Sequence, residues 1–162
     1  SGRPLRNLLA STAIGGDDGL GGSKDIPVIL DYRAGSQAVA RCFDMISPEG
    51  YAVCGGDMPG GATFALSSME PEDVVTSAEE ILDKALDSGK LSGMLFMPCI
   101  VRSITLGVDQ LAEARRVAEK VAGNAPYQLC YSGGEICPVY QADGETANRF
   151  HNFSFAVCMF RE

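Results

Sequence analysis

The sequence predicts an α+β domain, in which a mainly antiparallel β-sheet of about eight strands packs with two substantial helices. Three observations predict it. Short apolar, β-branched runs separated by glycine and proline recur from residue 26 to 69 and again from 94 to 160. Between them, apolar residues switch to spacings of three and four in two stretches, near 71–88 and 109–122. The strand-like runs cluster as meanders instead of alternating one for one with helices, which favours antiparallel neighbours over strict βαβ units.

Taken in order, Leu5, Leu8 and Leu9 in Pro4–Ser11 fit a short helix. Residues 11–25 read as a flexible loop, because five of the eight residues from Gly15 to Gly22 are glycine. A phosphate cradle is disfavoured there, since no Gly-Lys-Ser/Thr ending and no framing strand and helix are present. Strands are expected over Ile26–Tyr32, Gln37–Ile46, Tyr51–Cys54 and Ala62–Met69. Pro48-Glu49-Gly50 and the run from Gly55 to Gly61 break them.

Pro71 suits a first helical turn behind Ser68 or Glu70, and Glu72 and Asp73 suit the positive end of the helix dipole. Val74, Val75, Ala78, Ile81, Leu82, Ala85 and Leu86 mark the buried stripe, Gly89 the stop, and Glu79, Glu80, Asp83 and Asp87 a solvated face. Met94–Val101 reads as a buried strand interrupted by Pro98. A second helix is expected over Asp109–Ala122, with Leu111, Ala114, Val117, Ala118 and Val121 on one side and Gly123 as its cap. Strands follow at Tyr127–Tyr131, Ile136–Tyr140 and, as one long element, Phe150–Phe160, with a turn at Ala142-Asp143-Gly144.

The 162 residues suit one domain, and 46% hydrophobic with 21% charged residues is an ordinary globular composition. A net charge of −8 argues against nucleic-acid binding, which needs clustered Lys and Arg. No run reaches the ~18 apolar residues of a membrane span, and no signal-peptide pattern shows. The chain opens on Ser1, as a piece excised from a longer chain would. Six cysteines form no C-x-x-C pair and mostly sit in apolar runs, so buried thiols and a reducing, cytoplasmic compartment are expected. With one histidine, a Cys/His zinc site is disfavoured, and neither a metal nor a cofactor is expected.

Three polar constellations interrupt apolar segments: Cys99-Ile100-Val101-Arg102, Tyr131-Ser132-Gly133-Gly134-Glu135 and Phe150-His151-Asn152-Phe153-Ser154. Polar groups in such places need partners. Arg102 is able to pair with Glu135 or with a ligand carboxylate. Gly134 allows close backbone approach, His151 and Asn152 supply a donor and an acceptor, and Tyr131, Phe150 and Phe153 supply an aromatic wall. The plainer readings are a structural Arg102–Glu135 ion pair, a structurally satisfied His151 and an inert Cys99.

These segments resemble the FIST C-terminal domain. The likeness rests on Cys99-x-x-Arg102, then Tyr131-Ser132-x-Gly134-Glu135-Ile136-x-Pro138, then Phe150-His151-Asn152, in the family's order and spacing. Gly50–Gly56 and Met58–Gly61 resemble its strand, glycine break and Pro-Gly turn. Val101 stands where the family often has Gly, Pro98 where it has a small residue, and Ser154 where Thr is common. Val101 would narrow a pocket that Gly left open.

The resemblance implies a single domain over 1–162, excised from a chain that also carries a FIST N-terminal domain. It further implies a sensory role in bacterial signalling proteins or F-box proteins, with an amino acid or related small carboxylate as ligand. Cys99, Arg102, Tyr131, Gly134, Glu135, His151 and Asn152 would then line the ligand site, with no catalytic residue. Arg102 would grip the carboxylate and Glu135 the amine. Two alternatives stand beside this: a protein-interaction module, including a homodimer, and a thiol enzyme with Cys99 as nucleophile and His151 as base.

Overall fold

In the computed structural model, residues 26–32, 35–46, 49 and 51–162 are described. The expected helix at Pro4–Ser11, the glycine-rich loop and Pro48 and Gly50 lie outside them. Among the described residues, ten strands and three α-helices form an α+β fold whose pairings are antiparallel with one exception, so the expected class holds. Residues separate into two compact units, one from Ser1–Ser68 with Ile136–Asn152, the other from Met69–Glu135 with Phe153–Glu162.

In the first unit, β1 (Val28–Asp31) runs between β2 (Val39–Arg41) and β5 (Thr63–Leu66), antiparallel to both. A separate pair joins β3 (Phe43–Ile46) to β4 (Ala52–Cys54), and another joins β8 (Glu135–Tyr140) to β9 (Thr146–His151). The alternation of a strand puts Val28 and Leu30 inward, and likewise Val39 and Arg41. Leu30, Val39 and Val139 form one small core, Val28 and Phe43 another. The single strand expected over Gln37–Ile46 is two strands, because the Cys42 N–H at the break donates to the Asn152 side-chain oxygen in place of a ladder partner. The Ala142–Gly144 turn forms as expected, with Gly144 at φ +84° and donating to Gln141.

In the second unit, α1 (Pro71–Leu86) starts behind Glu70, whose N–H donates to Asp73 Oδ2 at 2.8 Å, with Pro71 in the first turn. It buries Val74, Ala78, Leu82 and Ala85, all on the predicted stripe. Its other face is not merely solvated: Asp83 meets Lys120 at 2.5 Å and Glu79 meets Arg116, both on α3 (Ala112–Val121). Exposed pairs of this kind contribute ~0–1 kcal/mol each. Gly123 at φ +77° follows α3 in the left-handed conformation expected of a cap.

The sheet of this unit is β10 (Phe155–Arg161), β6 (Leu91–Pro98) and β7 (Tyr127–Leu129), with β6 central. β6 is antiparallel to β10 and parallel to β7. That parallel pair departs from the meander expectation. It arises because the chain between the strands includes helices, which carry it back to the starting end of the sheet. Met94 and Phe96 point to the helices, where they join Leu82, Val117, Val121 and Phe155 in the main core. Full burial of Phe96 contributes about 2–3 kcal/mol.

Two expected strands end early. The Met94–Val101 run is strand only to Pro98, and Ile100–Thr105 forms a short helix, α2. The Phe150–Phe160 run is broken at residues 152–154, where Phe153 adopts φ +61°, outside the range of a strand. Arg102 holds the Phe153 carbonyl at 3.0 Å in this conformation.

Candidate functional site

The carboxyl ends of the parallel strands β6 and β7 converge with the start of β10. Ser132 N–H donates to Pro98 O at 2.9 Å and Ile100 N–H to Ser132 O at 2.8 Å, extending the parallel ladder past the strands. Cys99 N–H donates to Ser154 O at 2.9 Å on the other side. Open α/β sheets commonly bind ligands at such carboxyl ends.

Glu135 sits at this junction. It is 5% exposed, its Oε1 accepts from the Ser132 hydroxyl and its Oε2 from the Ser154 hydroxyl at 2.5 Å. Among the described residues no Lys, Arg or His forms an ion pair with it. Burial pushes its pKa up, while the two hydroxyls and the more remote Arg102 charge pull the other way. Gly134 precedes it at φ +152°, a conformation that favours glycine.

Cys99 is fully buried in front of α2. Burial raises its thiol pKa, the Glu135 charge adds to the rise, and the backbone of Val101 and Phe153 and the Arg102 charge oppose it. The neighbouring arginine therefore does not make this thiol acidic.

Arg102 is 2% exposed, and every nitrogen of its fork donates. Nε and Nη2 both donate to Glu113 Oε1, at 2.8 and 2.5 Å. Nη1 donates to Phe153 O, and Nη2 also to Val74 O at 2.8 Å and Ser77 Oγ at 3.1 Å. Its ion-pair partner is Glu113, not Glu135. One side chain thereby ties α1, α2, α3 and the turn before β10 together.

Glu113 is fully buried, and burial pushes its carboxyl pKa up against the pull of Arg102. Its Oε2 and the Tyr131 hydroxyl are both buried without a bond of normal geometry. Tyr131 is nonetheless close enough that burial, followed by the Glu113 charge, pushes its phenol up to about 12. Sequence reasoning missed Glu113. The available signal was its step of four from Val117 and Val121, which places all three on the inner stripe of α3.

His151 and Asn152 belong to the first unit, where β9 ends. Asn152 is 3% exposed; its N–H donates to Ala40 O at 3.0 Å and its Oδ1 accepts from Cys42 N–H at 3.2 Å. It fastens β9 to β2. His151 is half-buried, its Nε2 has no partner among the described residues, and burial lowers its pKa, with the Cys137 backbone opposing this and the Arg41 charge adding to it.

No disulfide forms among the described cysteines. Cys42 and Cys99 are buried, whereas Cys130 and Cys158 are exposed, contrary to their apolar sequence surroundings. Among the described residues no cluster of His, Cys, Asp and Glu is placed to hold a metal ion, and no helix is long and apolar enough to cross a membrane.

The FIST C domain family matches residues 8–138, most of the chain. The chain belongs to the FIST C domain family. FIST C domains are sensory domains of signalling proteins. Within the matched span lie Cys99, Arg102, Tyr131, Gly134 and Glu135; His151 and Asn152 fall beyond it. No curated protein and no solved structure matches the chain.

Proposed function

We propose that this FIST C domain is a binding module for a small amine-bearing ligand, an amino acid or a related small molecule, and that Glu135 is the group that meets the amine. The observation that carries this is a carboxyl 5% exposed, bonded by two serine hydroxyls and paired with no cation among the described residues. A buried carboxylate without a counter-charge is costly. A ligand ammonium would supply that charge. Cys99, Tyr131 and Gly134 border this position in our reading. Arg102 contributes by holding Glu113 and the Phe153 carbonyl in place instead of gripping the ligand itself. His151 and Asn152 belong to the first unit and take no part in this reading.

The reading is non-catalytic. A buried Cys99 whose thiol pKa is raised supports this, since a thiolate nucleophile needs the opposite shift. A FIST N-terminal domain in the parent chain, a cytoplasmic setting and no role in nucleic-acid binding complete the proposal. The test is a thermal-shift screen of amino acids and simple amines. Amine-bearing compounds should raise the melting temperature of the wild type and leave Glu135→Gln unmoved. A screen in which no amine acts, or in which Glu135→Gln responds like the wild type, would reject it.

A second reading, self-association, is favoured by one surface. Ile100, Ile104, Val108 and Leu111 are spaced along α2 and the following turns and are 41%, 39%, 110% and 60% exposed. An apolar stripe of this kind suits contact with another protein surface. Here the occupant proposed is a second copy. Sedimentation should show a dimer that Val108→Glu dissolves; a monomer at high concentration would eliminate it.

A further inference from the structure

The first unit holds a second charged cluster, separate from Glu135. Arg41 is fully buried on β2, and its bonds fix everything around it. Nη2 donates to the Tyr32 hydroxyl at 2.5 Å and to Asp57 Oδ1 at 2.8 Å. Nε donates to Asp57 O at 3.2 Å, and Nη1 to Ala40 O at 3.2 Å and to Phe150 O. The Tyr32 hydroxyl in turn donates to Asp57 Oδ1 at 2.7 Å. Its bonds to Arg41 and Asp57 set the Tyr32 ring in one orientation.

On that ring lies another arginine. The Arg149 guanidinium carbon is 4.4 Å from the Tyr32 ring centroid, and that of Arg41 is 5.9 Å away. Arg149 is half-exposed and makes no hydrogen bond or ion pair with a described residue. A guanidinium stacked on an aromatic face keeps its N–H edge free, and that edge matches a carboxylate in bidentate geometry. The stacking also fixes the side chain before a ligand arrives, which reduces the entropy lost on binding.

The three charged groups on Tyr32 set the class of ligand. Among the described residues in contact with the Tyr32 side chain, two guanidiniums against the one carboxylate of Asp57 leave a single positive charge. Asp57 is 58% exposed and its pKa is lowered, first by the Tyr32 hydrogen bond, so it stays ionised. A singly charged anion is accommodated, and a doubly charged one is opposed by Asp57.

We propose that Arg149, stacked on a Tyr32 held by Arg41 and Asp57, anchors a binding site for small monocarboxylates. The site does not depend on the Glu135 reading.

The test is a titration of the intact chain with acetate and propionate, at constant ionic strength, followed through the arginine side-chain N–H resonances in NMR. The Arg149 signal should shift saturably with a millimolar dissociation constant. Arg149→Ala, which removes a half-exposed side chain without hydrogen bonds to described residues, should weaken binding about tenfold or more. Arg149→Lys should recover only part of it, because an ammonium lacks the fork. Glu135→Gln should leave carboxylate binding unchanged while it abolishes the response to amines, so the two readings fail separately. Carboxylate binding that survives Arg149→Ala, no saturation beyond that seen with chloride, or tighter binding of inorganic phosphate than of acetate would each overturn the proposal.

Discussion

Each unit is fastened by one arginine withdrawn from water, and the two differ in what faces them. Arg102 in the second unit pairs with a Glu113 that is itself fully buried. Arg41 in the first unit is no less buried, yet its carboxylate partner Asp57 is 58% exposed. Both also donate to backbone carbonyls from separate segments and to one side-chain hydroxyl each. The enclosed pair can act only on its own surroundings, the helices and the turn before β10. The open pair holds a charged, solvent-facing surface in a fixed shape. The comparison teaches that a buried arginine fastens a fold in both settings, but only the one with an exposed partner also presents chemistry directly.

Four substitutions probe this difference, the largest effect first. Glu113→Ala strands the Arg102 charge in the core and should cost about 3–5 kcal/mol in urea unfolding; a loss below 1 kcal/mol would mean that water reaches the pair. Next, Gly56 sits at φ +106°, and a Cβ there would lie 2.7 Å from a Phe150 ring carbon and 2.9 Å from Arg41 Nε. Gly56→Ala should therefore cost about 1–3 kcal/mol, and a neutral outcome would show that the loop around Arg41 is not tightly set. Asp57→Asn keeps an acceptor for Tyr32 and Arg41 and loses only a mostly solvated charge. We expect at most about 1 kcal/mol, and a loss matching that of Glu113→Ala would erase the distinction between the pairs.

The smallest effect concerns pH. The His151 pKa is lowered in the folded state, so the unfolded chain takes up the proton first. Its contribution to stability is complete above the ordinary histidine value of about 6.5 and is lost as pH falls through the lower folded value. The stability of His151→Gln should depend less on pH in that window. An unchanged slope would assign the pH dependence elsewhere.

Much of this fold was legible from local chemistry. Pro71, Glu72 and Asp73 marked the start of α1, its apolar spacing marked the buried face, and Gly123 marked the end of α3. Tyr131, Gly134 and Glu135 stood out as candidates because polar residues interrupt apolar runs there. What was hidden depended on residues distant in sequence. Glu113 carried no signal of its own, because a helix of mixed composition hides which acid faces inward. Leu111 and Ala118, expected inside, are exposed, since the inner stripe of α3 follows steps of four through Glu113, Val117 and Val121. The break at Phe153 was invisible because aromatic and apolar residues continue through it; the tertiary bond from Arg102 decides the backbone there. Arg41 was overlooked although strand alternation places it on the inner side with Val39.

The central claim is that Glu135 is a buried carboxyl awaiting a positive partner, and its own titration tests this most directly. Carbon-13 NMR of the Glu135 carboxyl, with the free chain and with a saturating amine-bearing ligand, separates the outcomes. We predict a pKa above the ordinary glutamate value in the free chain, as burial dictates, and a fall when the ammonium binds, because an adjacent positive charge favours the ionised form. An ordinary value in the free chain, or a raised value that no amine lowers, would contradict the account.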